Sequence, residues 1–164
     1  MKLDLRKIIE IPGAELPFEC TLDMDGLDFP SVKAFSEPPK ARGRVMNTAG
    51  ALTLVGELRA TMLCICDRCG REFQSCKEMK LEVPLAADLE DEENPDIFPL
   101  DGDCVDLDEV LTTCLILDME TKFLCREDCR GLCERCGANL NDGPCSCGKK
   151  IDPRMAVLEQ LLDK

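Results

Sequence analysis

Residues 51–85 read ALTLVGELRATMLCICDRCGREFQSCKEMKLEVPL, two alternating stretches joined by a short cysteine-containing segment. In residues 51–66 apolar side chains occupy every second position, with Val55 as the exception. Residues 73–85 repeat this alternation, and the segment Cys66-Asp67-Arg68-Cys69-Gly70-Arg71 lies between the two stretches. A period of two is typical of strands with one buried face. The sequence therefore predicts a β-hairpin whose turn carries a Cys-x-x-Cys pair.

Other parts of the first half show weaker strand patterns, around Phe18–Met24, Val32–Phe35 and Gly43–Thr48. Together with the hairpin they predict an antiparallel sheet or a partly closed β-barrel.

Two helices are expected beyond the sheet. Asp106 is an N-cap candidate with Glu109 three positions later, and apolar residues follow at helical spacing, which predicts a helix over residues 106–120 packed on the sheet. Asp152-Pro153 predicts the start of a short C-terminal helix. The expected fold class is therefore α+β.

A division into two parts follows from these patterns. We expect residues 1–120 to form the β domain, including an acidic loop over residues 88–103. Residues 121–164 are expected to form a cysteine-rich, zinc-knuckle tail that ends in the short helix.

The composition describes a globular chain with an unusual set of reactive side chains. Its 164 residues include thirteen cysteines but no histidine, tryptophan or tyrosine. The sequence contains no apolar run of about 18 residues, and the start of the chain lacks the apolar centre of a signal peptide, so we expect a cytoplasmic protein with no membrane partner. In a reducing compartment, many cysteines indicate metal ligation more than disulfides.

The net charge of −13 is concentrated in one block. Residues 81–120 contain 14 acidic and no basic residues, whereas residues 39–80 contain 8 basic and 4 acidic ones. Because residues 39–80 are net basic, the negative net charge does not exclude nucleic acid as a partner.

The strongest metal-binding pattern is in the tail. Cys133 and Cys136 form one close pair, and Cys145 and Cys147 form a second pair a few residues later. Four thiolates can surround one tetrahedral ion at about 2.3 Å. Glycines between the pairs favour tight turns whose N–H groups point at sulfur.

A second set of four consists of Cys66, Cys69, Cys125 and Cys129, and it would attach the hairpin turn to the tail. Two alternatives stay open. Cys125 or Cys129 could belong to the first set, and Cys64 could replace Cys66, although the alternation of residues 51–66 places Cys64 on the apolar face of the strand. Zinc is the expected cofactor, as one or two ions, and iron is not excluded because thiolates suit both metals.

The remaining cysteines have no close partner in sequence and are expected to pack as small apolar side chains: Cys20, Cys76, Cys104 and Cys114. A closed four-thiolate site leaves no position for water, and without histidine there is no usual base near neutral pH. We therefore expect no enzymatic activity. A dithiol redox role is disfavoured because such Cys-x-x-Cys pairs open a helix after a strand.

Several motifs together resemble those of a known family. They are the hairpin turn Cys66-Asp67-Arg68-Cys69 followed by Phe73, the helix opening Asp106-Leu107, the run from Leu124 to Asn141, and the closing Asp152-Pro153-Arg154. This combination resembles the YceD family, which is linked to the accumulation of large-subunit ribosomal RNA. The resemblance implies a non-enzymatic binding factor in the maturation or stabilisation of large-subunit ribosomal RNA. Together with the thiolate sites, it leads us to expect a zinc-binding factor in ribosome assembly, with ribosomal RNA or a pre-ribosomal particle as its partner.

Basic residues near the hairpin and the tail are the candidates for RNA contact: Arg42, Arg44, Arg59, Arg68, Arg71, Arg126 and Arg130. The alternative is that they balance thiolate and carboxylate charge. Two other functions stay open: an adaptor that docks on a ribosomal or assembly protein, and a thiol redox or metal sensor.

Overall fold

The computed structural model of the chain describes residues 1–86 and 97–147. The regular structure of this part is mainly β-strand, with two helices. In chain order the elements are β1 (Lys2–Asp4), α1 (Arg6–Ile9), β2 (Glu15–Thr21), β3 (Val32–Thr48), β4 (Ala51–Ile65), β5 (Glu72–Ala86), β6 (Phe98–Pro99), β7 (Cys104–Asp106) and α2 (Leu107–Asp118).

The main sheet has five strands in the order β2-β3-β4-β5-β6. The four long strands are antiparallel neighbours, and β6 adds two residues parallel to the end of β5. Within the described residues β2 and β6 form its two edges, so the sheet is open and the alternative of a partly closed barrel is not adopted. Strands β1 and β7 form a separate two-stranded sheet.

The predicted hairpin is confirmed, because β4 and β5 pair antiparallel from Ile65↔Glu72 outward. The two weaker patterns around residues 32–35 and 43–48 belong to one strand, β3, and not to two. Its register shifts between Phe35 and Lys40, where Pro38 and Pro39 cannot donate backbone hydrogen bonds. This interruption explains why the alternation in sequence is broken. Strand β2 runs three residues ahead of the predicted range 18–24.

Within the range of the predicted loop, residues 88–103, Phe98–Pro99 forms the two-residue strand β6 beside the end of β5. Residues 87–96 and the predicted C-terminal helix after Asp152 lie outside the described residues. The division of the chain at residue 120 stays a prediction.

The main apolar cluster contains buried residues of both the strands and α2. The side chain of Asp106 accepts a hydrogen bond from the Asp108 amide at 3.1 Å and caps this helix. One apolar cluster joins buried residues of the helix to buried residues of the strands: Leu107, Val110, Leu111 and Leu115 from α2, with Val45, Leu54, Leu58 and Leu81 from the sheet.

A second, smaller cluster continues the core toward the hairpin turn. It consists of Met62, Cys64 and Phe123, which are all at most 4% exposed. Phe123 thus holds the start of the tail against the end of β4, next to the turn.

Candidate metal centres

The hairpin turn and the tail bring four cysteines together, and we call this group the turn tetrad: Cys66, Cys69, Cys125 and Cys129. Cys66 and Cys69 lie in a turn closed by the Gly70 amide, which donates to the Cys66 carbonyl at 2.8 Å. Two hydrogen bonds hold the tail beside this turn: Asp67 N donates to Phe123 O at 2.9 Å, and Phe123 N donates to the Asp67 carboxylate at 2.6 Å. The second cysteine pair, Cys125 and Cys129, follows Phe123 in the chain.

The geometry of the turn tetrad fits a tetrahedral metal ion. The Sγ atoms of Cys66 and Cys129 lie 3.7 Å apart, as do those of Cys69 and Cys125. With zinc–sulfur bonds of about 2.3 Å, a regular tetrahedron has edges of ~3.8 Å. A disulfide would require a distance of about 2.05 Å, and these cysteines are free. Zinc or iron therefore fits this donor set, with all four positions filled by sulfur.

Backbone N–H groups stabilise negative charge on a sulfur of the turn tetrad. Burial opposes ionisation of Cys66, but the N–H groups of Cys125, Arg68 and Cys69 lower its pKa to about 6. Burial and the neighbouring Cys69 and Cys66 raise the pKa of Cys125 to about 12. Because thiolates this close repel one another, a cation is needed for all four to ionise.

A second group, the tail tetrad, consists of Cys133, Cys136, Cys145 and Cys147. Its first pair forms a knuckle in which Gly137 N donates to Cys133 O at 2.9 Å, and Gly137 adopts a φ of 69° that favours glycine. The N–H groups of Arg135 and Cys136 lower the pKa of Cys133 to about 6. The Sγ atoms of Cys133 and Cys145 lie 3.4 Å apart.

The two tetrads differ in exposure. In the turn tetrad Cys66, Cys69 and Cys129 are all buried, at 2%, 6% and 3% exposure. In the tail tetrad Cys136 is exposed and the other three are partly exposed. The tail tetrad is therefore the more accessible to solutes.

The arrangement decides the two alternatives that the sequence left open. Cys64 is fully buried in the cluster with Met62 and Phe123, and it takes no part in either tetrad. Cys125 and Cys129 group with the hairpin pair. In the described part of the chain, the four remaining cysteines lie outside both tetrads, and buried Cys20 contacts Asp108 at 3.3 Å with a pKa raised to about 11, mainly by burial.

The seven arginines expected to contact RNA fall into two groups. Three lie in the middle of the long strands, and each pairs with a glutamate of a neighbouring strand: Arg42 with Glu57, Arg44 with Glu15 and Arg59 with Glu78. Of these three, Arg59 is the nearest in sequence to the turn tetrad, and seven residues, or about 20 Å along a strand, separate it from Cys66.

The other four arginines surround the turn tetrad. Arg68 donates to the Cys129 carbonyl at 2.9 Å, Arg71 pairs with Asp142 at 2.8 Å, and Arg126 pairs with Asp128 at 3.4 Å. The Arg130 side chain has no carboxylate partner within residues 1–86 and 97–147. RNA contact by these seven residues stays a prediction.

One residue that the sequence did not single out as functional is Asn141. Its side-chain amide donates to the Cys129 sulfur at 3.3 Å. Its signal in the sequence is its position at the end of the run from Leu124 to Asn141, between the two pairs of the tail tetrad. Separately, no helix in the described ranges is long and apolar enough to cross a membrane.

Comparison with known proteins places these features in a family. Uncharacterized proteins of Mycobacterium bovis and Mycobacterium tuberculosis are 28% identical over 124 residues, which is 73% of this chain and 59% of theirs. The chain therefore spans less than two thirds of the length of these relatives. The large ribosomal RNA subunit accumulation protein YCED homolog 1, chloroplastic, of Arabidopsis thaliana is 32% identical over 53 residues, 32% of this chain and 16% of that protein. No solved structure matches the chain significantly.

A wider match covers the hairpin and the tail together. Residues 54–162 match the family described as large ribosomal RNA subunit accumulation protein YceD. All eight tetrad cysteines fall within this range. As its motifs indicated, the chain belongs to the YceD family.

Proposed function

We propose that this chain is a non-enzymatic, zinc-binding factor that promotes the accumulation or processing of large-subunit ribosomal RNA during ribosome assembly. The observation that carries the proposal is the location of both tetrads inside the segment that matches the YceD family. We propose that the chain acts in the cytoplasm.

Zinc is the proposed metal in both tetrads because four cysteine sulfurs form the usual closed shell of a structural zinc site. When bound, the metal would neutralise thiolate charge and hold the tail on the hairpin turn. Iron suits the same ligands, and elemental analysis of the purified protein distinguishes the two. Catalysis is not part of the proposal, since a closed shell offers no position for a reactive water and the sequence has no histidine.

Direct contact with RNA phosphates is proposed for the arginines around the turn tetrad. Arg130 has no carboxylate partner in the described ranges, and the ion pairs of Arg71 and Arg126 are exposed. Exposed ion pairs contribute about 0–1 kcal/mol, so a phosphate can compete for these guanidinium groups. The arginines of the sheet, Arg42, Arg44 and Arg59, are less suited to bind phosphate, because each one forms an ion pair with a glutamate.

The test uses cells that lack the chain, complemented with wild type or with a Cys66→Ser/Cys129→Ser variant. We expect wild type, but not the variant, to restore the ratio of large- to small-subunit ribosomal RNA. A Cys76→Ser variant controls for loss of an exposed cysteine outside both tetrads. An unchanged ratio in cells that lack the chain would contradict the proposed role.

A second candidate is an adaptor that docks on a basic ribosomal or assembly protein. It is favoured by the net charge of −13 and by the ion-paired sheet face, both of which disfavour nucleic acid. Deletion of the acidic segment 88–96 should then abolish co-sedimentation with pre-ribosomal particles, whereas direct RNA binding predicts that co-sedimentation survives the deletion and falls steeply with salt.

A further inference from the structure

The two tetrads are joined by one side chain. Asn141 lies between the two cysteine pairs of the tail tetrad, yet its side chain contacts Cys129 of the turn tetrad. Its Nδ2 donates to Cys129 Sγ at 3.3 Å, and its Oδ1 accepts from Arg130 N at 2.8 Å and from Arg126 Nη2 at 2.6 Å.

The orientation of this amide is fixed by its neighbours. A backbone N–H and a guanidinium group are both obligate donors, so the atom that faces Arg130 N and Arg126 must be the oxygen. The NH₂ group then necessarily faces the sulfur, and its second hydrogen is taken by Asn139 Oδ1 at 2.8 Å. Every polar atom of the Asn141 side chain is thus used within this network.

Further contacts hold the segment that carries Asn141 against the turn. Leu140 N donates to Gly131 O at 2.9 Å, Leu132 N donates to Arg68 O at 3.1 Å, and Arg71 pairs with Asp142 at 2.8 Å. The loop between the two cysteine pairs of the tail tetrad therefore also packs against the turn tetrad. A metal ion in the tail tetrad would fix both ends of this loop and hold the Asn141 amide at the Cys129 sulfur.

From this geometry we propose that Asn141 couples the two tetrads, so that a metal ion bound in the tail tetrad raises the metal affinity of the turn tetrad. This inference rests on the metal binding proposed above. Asn141 is a positioning residue: its N–H offsets charge on a ligand sulfur without binding the metal. Loss of such a partner of a metal ligand lowers metal affinity by about 10- to 100-fold. Because coupling between two binding sites is reciprocal, the turn tetrad strengthens metal binding in the tail tetrad by the same factor.

The experiment measures metal affinity separately for each tetrad. Full-length protein is equilibrated at a series of buffered free Zn²⁺ concentrations and pulsed with a thiol-alkylating reagent, and peptide mapping then reports the protection of each cysteine. The variants are Asn141→Ala, Asn141→Asp and Cys145→Ser/Cys147→Ser. Asn141→Asp keeps the oxygen that accepts from Arg130 N but removes the donor to sulfur. Ser146→Ala is the matched control, since it truncates an exposed polar side chain of the tail that makes no hydrogen bond within the described ranges.

In wild type we expect Cys66 and Cys129 to become protected together with the tail tetrad. Asn141→Ala should raise the free Zn²⁺ concentration for half protection of these two cysteines by ~10- to 100-fold, and Asn141→Asp should do at least the same. Cys145→Ser/Cys147→Ser should produce a similar shift, and adding Asn141→Ala to it should cause no further loss, because both changes remove one interaction. Ser146→Ala should leave the half-protection point where it is in wild type.

The coupling is contradicted if Asn141→Ala leaves the metal affinity of the turn tetrad unchanged, if Ser146→Ala lowers it as much, or if the losses from Asn141→Ala and Cys145→Ser/Cys147→Ser are additive. In those cases wild type would still bind two Zn²⁺ ions, and the proposed function would stand. A wild-type chain whose cysteines are never protected by Zn²⁺ would instead contradict the proposed function itself.

Discussion

The Sγ atoms of Cys66 and Cys129 lie 3.7 Å apart, although 63 residues separate them in the chain. Cys66 directly follows β4 and Cys129 belongs to the tail, so this contact fixes the tail to one end of the sheet. The buried Phe123 beside Cys64 and Met62 supports the same junction with apolar packing. The position of the tail therefore depends on both the tetrad and a small apolar cluster.

Removal of one sulfur from this junction should release a metal ion. In Cys66→Ser we expect the zinc content to fall from two ions per chain to one, because a hydroxyl is a poor zinc ligand compared with a thiolate. Elemental analysis of protein purified under reducing conditions measures this content, and limited proteolysis reports the release of residues 120–131. Cys76→Ser, which changes an exposed cysteine outside the tetrads, should retain both ions. Two ions in Cys66→Ser would show that Cys66 is not a ligand.

Gly131 packs closely on the hairpin turn, and a methyl group there should destabilise the junction. Its φ is +74°, and a Cβ atom would lie 3.0 Å from the Arg68 carbonyl oxygen. Gly102 has a similar φ of +62° but open space around it. We expect Gly131→Ala to lower the free energy of unfolding by about 1–2 kcal/mol more than Gly102→Ala, because its methyl group is also forced against the turn. Gly102→Ala carries only the left-handed backbone strain. Urea unfolding of the zinc-loaded proteins measures both, and equal losses would argue against the contact.

Lys77 should protect the open edge of the sheet against self-association. It lies on the inward face of β5, its side chain is 10% exposed, and it pairs with Asp118 at 2.9 Å and Glu120 at 3.1 Å. In the described chain no strand pairs with residues 72–84 on the side of β5 away from β4. Inward-pointing charges on edge strands disfavour pairing with another copy.

We therefore expect Lys77→Val to self-associate at concentrations where wild type is monodisperse, as sedimentation velocity would show. Lys80→Val is the control, since Lys80 is exposed on the opposite face of the same strand. Equal behaviour of the two variants would mean that Lys77 has no special role at this edge.

Local alternation was sufficient to predict the hairpin, and the length of its turn also fixes the register. Because Ile65 pairs with Glu72, Arg59 must lie opposite Glu78, and this ion pair could have been predicted from the turn. The continuity of β3 through Pro38 and Pro39 could not, since its pairing with β4 overrides the local break in alternation. The partition of the eight cysteines follows from Phe123 and Asp67 holding the tail at the turn. The contact of Asn141 with Cys129 depends on that same tertiary arrangement, which no spacing in the sequence encodes.

Arginine substitutions distinguish direct RNA binding from an adaptor role. If the surface around the turn tetrad contacts phosphates, Arg130→Ala should weaken binding to large-subunit ribosomal RNA and reduce the slope of log affinity against log salt by about 1. Arg42→Ala should change this slope less, because Arg42 is already paired with Glu57 on the sheet face, Nε to Oε1 at 2.6 Å. Filter binding at several salt concentrations measures both. If wild type shows no salt-dependent binding, or if Arg42→Ala has the larger effect, the turn tetrad is not the RNA-binding surface. Docking on a basic protein would then explain the function of this acidic chain better than RNA binding does.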